Sequence, residues 1–308
     1  MKKRPLVSII IPTYRRTAWL REALDSVAAQ TFSDYEVLVM DDGTPGVENA
    51  ALCSNYPFVR YFKLANSGGP IVPRNRGLQE ARGELVAFLD DDDRWLPDKL
   101  QRQVEVLKAH PDCGLVHGYC YVMDGEGKPT GRVTGQLHAD RKHGYVFDDM
   151  VGDFTVMLSS PLIRKALIDR VGGFNTAMQA AGEDVEFFYR LAFHARFYFI
   201  NAPLLYYREH SGGISHNNRA YLQLPGHLYK VLQHLKGEGL LAPSRFRRLR
   251  AKLLRMQISG IRSWSMLLPA LWACILMYPG FLVVPGLARR LAGKNMELLR
   301  QSLKLQHA

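Results

Sequence analysis

Three short apolar runs, each stopping at a polar cluster, limit what this chain can fold into. Leu6-Val7-Ser8-Ile9-Ile10-Ile11 stops at Pro12, Tyr35-Glu36-Val37-Leu38-Val39-Met40 stops at Asp41-Asp42-Gly43, and Leu85-Val86-Ala87-Phe88-Leu89 stops at Asp90-Asp91-Asp92-Asp93. Runs this short and this rich in apolar side chains suit strands buried on both faces. Phe58–Leu64 adds another strand, followed by the turn signal Asn66-Ser67-Gly68-Gly69-Pro70. Between the runs, Leu20, Leu24, Val27 and Ala28 recur at helical spacing, a helix begins near Pro73, and Pro97 opens a helix that Asp98–Ala109 continues. Strands alternating with helices predict an α/β fold with a Rossmann-like, mostly parallel sheet flanked by helices. Ligands of such sheets bind beyond the carboxyl ends of the strands. Tyr14, Asp42 and Asp91/Asp92 are therefore expected along one edge.

From Cys113 onward, β-rich and irregular segments dominate, with a hairpin-like Asp124-Gly125-Glu126-Gly127. A helix over Pro161–Val171 leads to Gly172-Gly173-Phe174, and Gly182-Glu183-Asp184 opens another whose apolar face includes Val185, Phe188, Leu191 and Ala192. Trp95, Phe187 and Phe188 read as packing residues, with sugar stacking as the alternative for Trp95.

The character changes near residue 219. Residues 219–308 hold 15 Lys/Arg against Glu238 and Glu297, whereas residues 1–218 hold 25 basic and 27 acidic side chains, so the net charge of +11 belongs to the tail. The expected organisation is an α/β domain over 1–218 and a helical extension over 219–308. Residues 219–260 read as basic amphipathic helices, with Leu249, Leu253, Leu254 and Met256 on the apolar side. Ser263–Ala288 carries no charged side chain between Arg262 and Arg289-Arg290. It is long enough for a bilayer core of about 30 Å, but Pro269, Pro279 and Pro285 are spaced to break a spanning helix. The expectation is a membrane-inserted hairpin or interfacial helices whose basic flanks meet an anionic membrane surface. A helical cap and a single span are the alternatives. The chain is accordingly expected on the cytoplasmic side of the cell membrane, or in the cytoplasm if the tail is a cap. Four scattered cysteines with no C-x-x-C pair argue against a disulfide scaffold or structural zinc. The opening Met1-Lys2-Lys3-Arg4 and its apolar run imitate a signal peptide, but the run ends at Pro12 and meets Arg15-Arg16, as expected of a buried first strand.

Clustered carboxylates at a strand end cannot all stay ionised without a compensating cation. A Mn2+ or Mg2+ held by one or two of Asp90–Asp93 and by substrate phosphates would resolve the repulsion and stabilise a departing diphosphate. A solvated acidic loop, or charge favoured at a helix N-terminus, is the other reading.

Val7-Ser8-Ile9-Ile10-Ile11-Pro12-Thr13-Tyr14-Arg15-Arg16, Gln30-Thr31-Phe32 and Asp41-Asp42-Gly43-Thr44 follow one another along the chain. Then come Gly68-Gly69-Pro70, Arg74-Asn75-Arg76-Gly77, Ala81-Arg82-Gly83-Glu84, Phe88–Asp93, Gly172-Gly173-Phe174 and Glu183-Asp184. This ordered series, over roughly residues 5–215, resembles glycosyltransferase family 2. The resemblance implies a GT-A fold and an inverting transfer of sugar from a nucleotide-sugar donor, UDP- or dTDP-linked, to a glycan or lipid-linked acceptor. It assigns Pro12, Tyr14, Asp42, Arg74, Asp90 and Asp91 to the donor. Tyr14 would stack on the nucleobase, Asp42 accept an imide N–H, and Arg74 neutralise phosphate, while Asp41 supports the turn. Asp90 and Asp92 form the D-x-D frame, in a register open by one residue. The metal ligands it implies are Asp92 and His210, and the general base is Asp184 rather than Glu183. A sugar nucleotidyltransferase would carry a Gly-rich phosphate loop that Pro12–Arg16 lacks. A non-catalytic nucleotide-sugar-binding protein is the other alternative, and Asp42, Asp92 and Asp184 together argue against it. The basic helices lack the interleaved aromatics of a nucleic-acid module, so no nucleic-acid partner is expected.

Overall fold

A computed structural model describes residues 4–178, 181–213 and 220–306. Strand β1 (Val7–Thr13) is buried along its whole length. It pairs in parallel with β2 (Tyr35–Asp41) on one side and with β4 (Leu85–Phe88) on the other, and β2 pairs in parallel with β3 (Val59–Lys63). This half is parallel and Rossmann-like, as expected, with its strands in the order β3-β2-β1-β4. Its helices are α1 (Thr17–Ala28), the short α2 (Glu48–Cys53), α3 (Ile71–Glu80) and α4 (Lys99–Ala109). Leu20, Leu24 and Val27 of α1 pack in the core, as the helical spacing required, joined by Ala23, whereas Ala28 is exposed.

Beyond β4 the sheet becomes mixed. β8 (Leu162–Arg164) runs antiparallel to β4 and to β6 (Cys113–Met123), and β9 (Arg196–Arg208) runs parallel to β6. β7 (Pro129–Thr134) and β5 (Arg94–Trp95) complete the nine strands, against β6 and β9 respectively. The helix expected over Pro161–Val171 is thus shortened. Leu162 and Ile163 are buried between β4 and β6 as a strand, and helix α5 (Lys165–Val171) begins only afterwards. The gap between two ladders outweighs local helix propensity there. Helix α6 (Glu183–His194) starts where expected, after Gly182 in the left-handed region at φ +85°.

Pro12 has a definable place in this sheet. Ile10 O accepts Leu89 N on the β4 side and Thr13 O accepts Asp42 N on the β2 side. Even-numbered positions of β1 therefore face β4, whose ladder ends at Ile10↔Phe88. Pro12 turns its donor-less nitrogen to the point where that ladder has stopped, so no bond is lost.

The chain separates into two compact units, the second comprising Met150–Asp153 and the C-terminal helices. The expected boundary between 218 and 219 lies outside the described residues. Leu228, Leu232 and Leu235 of α7 (Leu224–Gly237) and Leu249, Leu253, Leu254 and Ile258 of α8 (Pro243–Ser259) are buried. The uncharged stretch forms α9 (Trp264–Met277) and a 3-10 turn, Phe281–Val283, before α10 (Leu287–Gln306). Pro269, expected to break this stretch, is carried inside α9. Among the described residues, no helix is long and apolar enough to cross a membrane.

At the amino end of the sheet, Ser8 Oγ donates to Glu36 Oε1 (2.7 Å) and accepts the backbone N–H of Gly83 (2.8 Å). Gly83 lies so close that an added Cβ would sit 2.7 Å from Ser8 N and 2.8 Å from Val7 C. Backbone cannot yield as a side chain end can. Gly83→Ala is therefore expected to destabilise the protein by about 1–3 kcal/mol, read as a lower urea midpoint at an unchanged slope.

Candidate active site

The three polar clusters do converge at the carboxyl ends of β1, β2 and β4. Asp41 is fully buried and spent on the turn. Its carboxylate accepts Thr44 N (2.7 Å), Asn49 Nδ2 (2.9 Å) and Tyr61 Oη (2.8 Å). Asp42 is nearly as buried, but Oδ1 takes both bonds from Ser67, from N at 2.9 Å and Oγ at 2.7 Å. Its Oδ2 has Asn66 Nδ2 at 3.4 Å. Gly43, at φ +82°, lets the chain pass Asn66, whose N would lie 2.8 Å from an added Cβ. Tyr14 is exposed, with the Arg15 guanidinium 5.0 Å from its ring centre.

The acidic run alternates as it leaves the sheet. Asp91 and Asp93 point inward and are buried, whereas Asp90 and Asp92 are half-buried. Asp91 accepts Thr13 Oγ1 (2.8 Å) and Arg16 Nη1 (3.1 Å). Asp92 Oδ2 accepts the same Arg16 nitrogen at 2.7 Å and lies 3.1 Å from His210 Nε2. The His210 ring packs 4.6 Å from that of Trp19. Asp90 Oδ1 accepts Arg74 Nη2 (2.7 Å), and Asp93 Oδ1 accepts Arg208 N (3.0 Å). Arg208 fixes the loop further through Nε to Asp92 O (2.8 Å), while Nη1 reaches Gly125 O (3.1 Å) and Nη2 pairs with Glu22.

Oxygens of Asp90, Asp92 and Asp93 lie within 4.8 Å of one another. Hard carboxylate oxygens at that spacing fit Mg2+ or Mn2+. The repulsion inferred from the sequence is visible in the carboxyls themselves. Burial, then the charge of Asp92, pushes Asp91 up to about 7. Burial also raises Asp90 and Asp93. Arg16 and Arg74 offset part of this charge, and an added cation would offset more.

Arg74 is buried rather than open to solvent. Its guanidinium joins Asp90 to Glu183 Oε1 (2.8 Å) over the ring of Phe174. The neighbouring Asn75 clasps the backbone of Phe174, donating from Nδ2 to its O (2.9 Å) and accepting its N–H on Oδ1 (2.8 Å). A Cβ at Gly173 would fall 2.4 Å from Asn75 Oδ1. The Arg-Asn and Gly-Gly-Phe signatures are therefore two halves of one joint. Glu183 is fully engaged, since Oε2 also accepts Ala181 N (2.8 Å). Asp184 is half-buried and accepts only the adjacent Val185 N–H (2.8 Å) among its described hydrogen bonds. Burial, then the charge of Glu183, raises it to about 7. Trp95 is buried and donates Nε1–H to Ser159 O (2.9 Å), a packing role.

Sequence reasoning did not single out Arg16, Trp19, Ser67, Asp93 or Arg208 as site residues. Arg16 stood inside the first motif, yet nothing in its spacing showed that it addresses the acidic run.

The sequence profile described as glycosyl transferase family 2 matches residues 8–166. The chain belongs to this family. A glycosyltransferase of Haemophilus influenzae is 28% identical over 67% of this chain and 69% of its own length. A putative teichuronic acid biosynthesis glycosyltransferase of Bacillus subtilis, TuaG, is 30% identical over 50% of this chain and 62% of its own. Matches to Rickettsia felis and Rickettsia conorii glycosyltransferases, at 39% and 38% identity, span only 17% and 23% of those proteins. Among solved structures, Staphylococcus aureus TarS 1-349 in complex with UDP superposes with a TM-score of 0.70 at 19% identity, covering 96% of this chain and 91% of that one. The Pyrobaculum calidifontis mannosyltransferase PcManGT, in complex with GDP-Man and Mn2+, gives 0.58 at 19% identity, over 97% and 88%. These likenesses place the family 2 chain in the GT-A fold.

Two stability measurements follow from the site's charges. Arg74→Leu leaves Glu183 buried without its cation and should cost about 3–5 kcal/mol in urea unfolding, part of which Arg74→Lys recovers. Asp184 titrates near 7 when folded, against an ordinary 3.8. Between those values the folded chain holds a proton that the unfolded chain has released, so this group's contribution to stability falls as pH rises through the window. Asp184→Asn should therefore melt higher than wild type at pH 8, with the gain shrinking towards pH 4.

Proposed function

We propose that this family 2 chain transfers a sugar from a nucleoside diphosphate donor to an acceptor hydroxyl, with inversion at the anomeric carbon. The observation that carries the reading is the Arg74 joint, which ties Asp90 of the acidic loop to Glu183, the neighbour of Asp184. A general base with a value near 7 is thereby held beside a cation-binding corner. That value matches base catalysis at neutral pH.

In this mechanism Tyr14 stacks on the nucleobase, and Asp42 accepts its imide N–H on Oδ2, since Ser67 occupies Oδ1. Such an acceptor suits the uracil or thymine of a UDP- or dTDP-sugar. Pro12 walls the nucleotide side, and Asp91, anchored by Thr13 and Arg16, lies towards the ribose or donor sugar. Asp92, with Asp90, Asp93 and His210 around it, would hold Mn2+ or Mg2+, which when bound supplies charge neutralisation to the leaving diphosphate. Asp184 takes the acceptor hydroxyl proton. The acceptor oxygen then bonds to the anomeric carbon on the face opposite the breaking bond to the diphosphate oxygen, so one displacement inverts the centre. Arg74 acts here by positioning Asp90 and Glu183 rather than by direct charge on phosphate. A glycan acceptor in surface polysaccharide assembly accords with the teichuronic acid biosynthesis named for TuaG, and a lipid-linked or lipopolysaccharide acceptor is the narrower form of this proposal. The basic tail suits work at the cytoplasmic side of the cell membrane.

A panel of nucleotide-sugars with Mn2+ should raise the melting temperature for one donor class, because that donor binds the native state. Asp92→Ala should lose the metal-dependent part of the shift. Asp184→Asn should keep it while transfer falls by about 10²–10⁴-fold. Undiminished transfer by Asp184→Asn would move the base elsewhere.

A further inference from the structure

Helix α9 has two apolar faces, and its own unit covers one of them. Met266, Ala270, Cys274 and Met277 are buried. At about 100° per residue, Leu268, Trp272, Ile275 and Leu276 share a sector about 100° wide on the opposite side. They are exposed, Leu268 at 75%, Trp272 at 62% and Leu276 at 67%. Past the end of α9 the exposed apolar surface resumes at Leu282 and Val283. Contiguous surface of this kind marks an interaction site.

We infer that this face docks α9 in the plane of an anionic lipid bilayer, with Leu268, Trp272 and Leu276 entering the acyl boundary. The inference deepens the membrane reading above, on which it rests, by assigning the surface that makes contact. Three observations select lipid. The 14 residues of α9 span about 21 Å at 1.5 Å per residue, shorter than a hydrocarbon core of about 30 Å, which favours lying in the interface over crossing it. No charged side chain interrupts residues 263–288, while Arg262 stands before them and Arg289-Arg290 after. Basic residues bordering an apolar, tryptophan-bearing face match anionic headgroups over an acyl interior. Finally, the excess of 15 basic over two acidic residues in 219–308 sets one copy against another, which disfavours a second copy as the occupant.

The test is co-sedimentation of the full chain with vesicles of phosphatidylglycerol and phosphatidylethanolamine, against phosphatidylcholine alone. Wild type should pellet with the anionic vesicles, less so at high salt, and its tryptophan emission should be quenched by bromine-labelled acyl chains. Leu268→Ser with Trp272→Ser should lower partitioning at least tenfold, and Arg289→Gln with Arg290→Gln should remove much of the preference for anionic lipid. These side chains are exposed, so the melting temperature of each variant should match wild type, and wild-type quenching tests insertion without any variant. Pelleting that survives the α9 changes would overturn this face and leave the membrane reading standing. No pelleting by wild type would overturn both. A dimer in light scattering that Trp272→Ser dissolves would assign the face to a second copy and overturn the proposal.

Discussion

The candidate site depends on one buried cation. Arg74 reaches from α3 to Asp90 at the end of β4 and to Glu183 at the start of α6, two segments far apart in sequence. Burying a guanidinium is costly unless carboxylates meet it, and two do. The same constraint works in reverse. Two carboxylates held this close to Asp91, Asp92 and Asp184 would repel without the arginine between them. Asn75 and Phe174 complete the joint by fixing the backbone around it.

Around that joint the protein divides labour between adjacent acidic residues. Asp41 closes a turn, while Asp42 gives Oδ1 to Ser67 and has only the long contact from Asn66 on Oδ2. Glu183 is consumed by Arg74 and Ala181 N, leaving Asp184 as the raised, half-buried carboxyl. Asp91 and Asp93 are anchored inward, leaving Asp90 and Asp92 towards the opening. In each case one carboxylate is more fully bonded than its neighbour.

Much of this was legible in the sequence, for reasons particular to each element. Parallel strands buried on both faces leave largely apolar runs, broken here only by Ser8 and Glu36, so β1, β2 and β4 and the polar ends they present could be read directly. Adjacent in sequence, Glu183 and Asp184 differ in placement, since Glu183 is the one held by Arg74. What escaped has a common cause, namely partners distant in sequence. Arg16 and Arg208 look like any surface arginine until β9 brings residue 208 to the acidic loop. Leu162 and Ile163 carry no strand signature, because their conformation comes from the two ladders on either side. Arg74 was expected at a phosphate, and nothing local reveals that Glu183 lies 2.8 Å away.

Pro12 carries a consequence of another kind. A nitrogen without a proton stands where β1 would next bond to β4, and there the sheet lets go of one strand while keeping the other. The run that follows Leu89 is thereby released as a loop, free to turn alternate carboxylates outward and inward. Had the strand run on through the acidic residues, Asp92 and Asp93 would point to opposite faces of a sheet instead of meeting Asp90 in one corner. The acidic corner exists because a strand ends early, and it ends early opposite a residue that has nothing to donate.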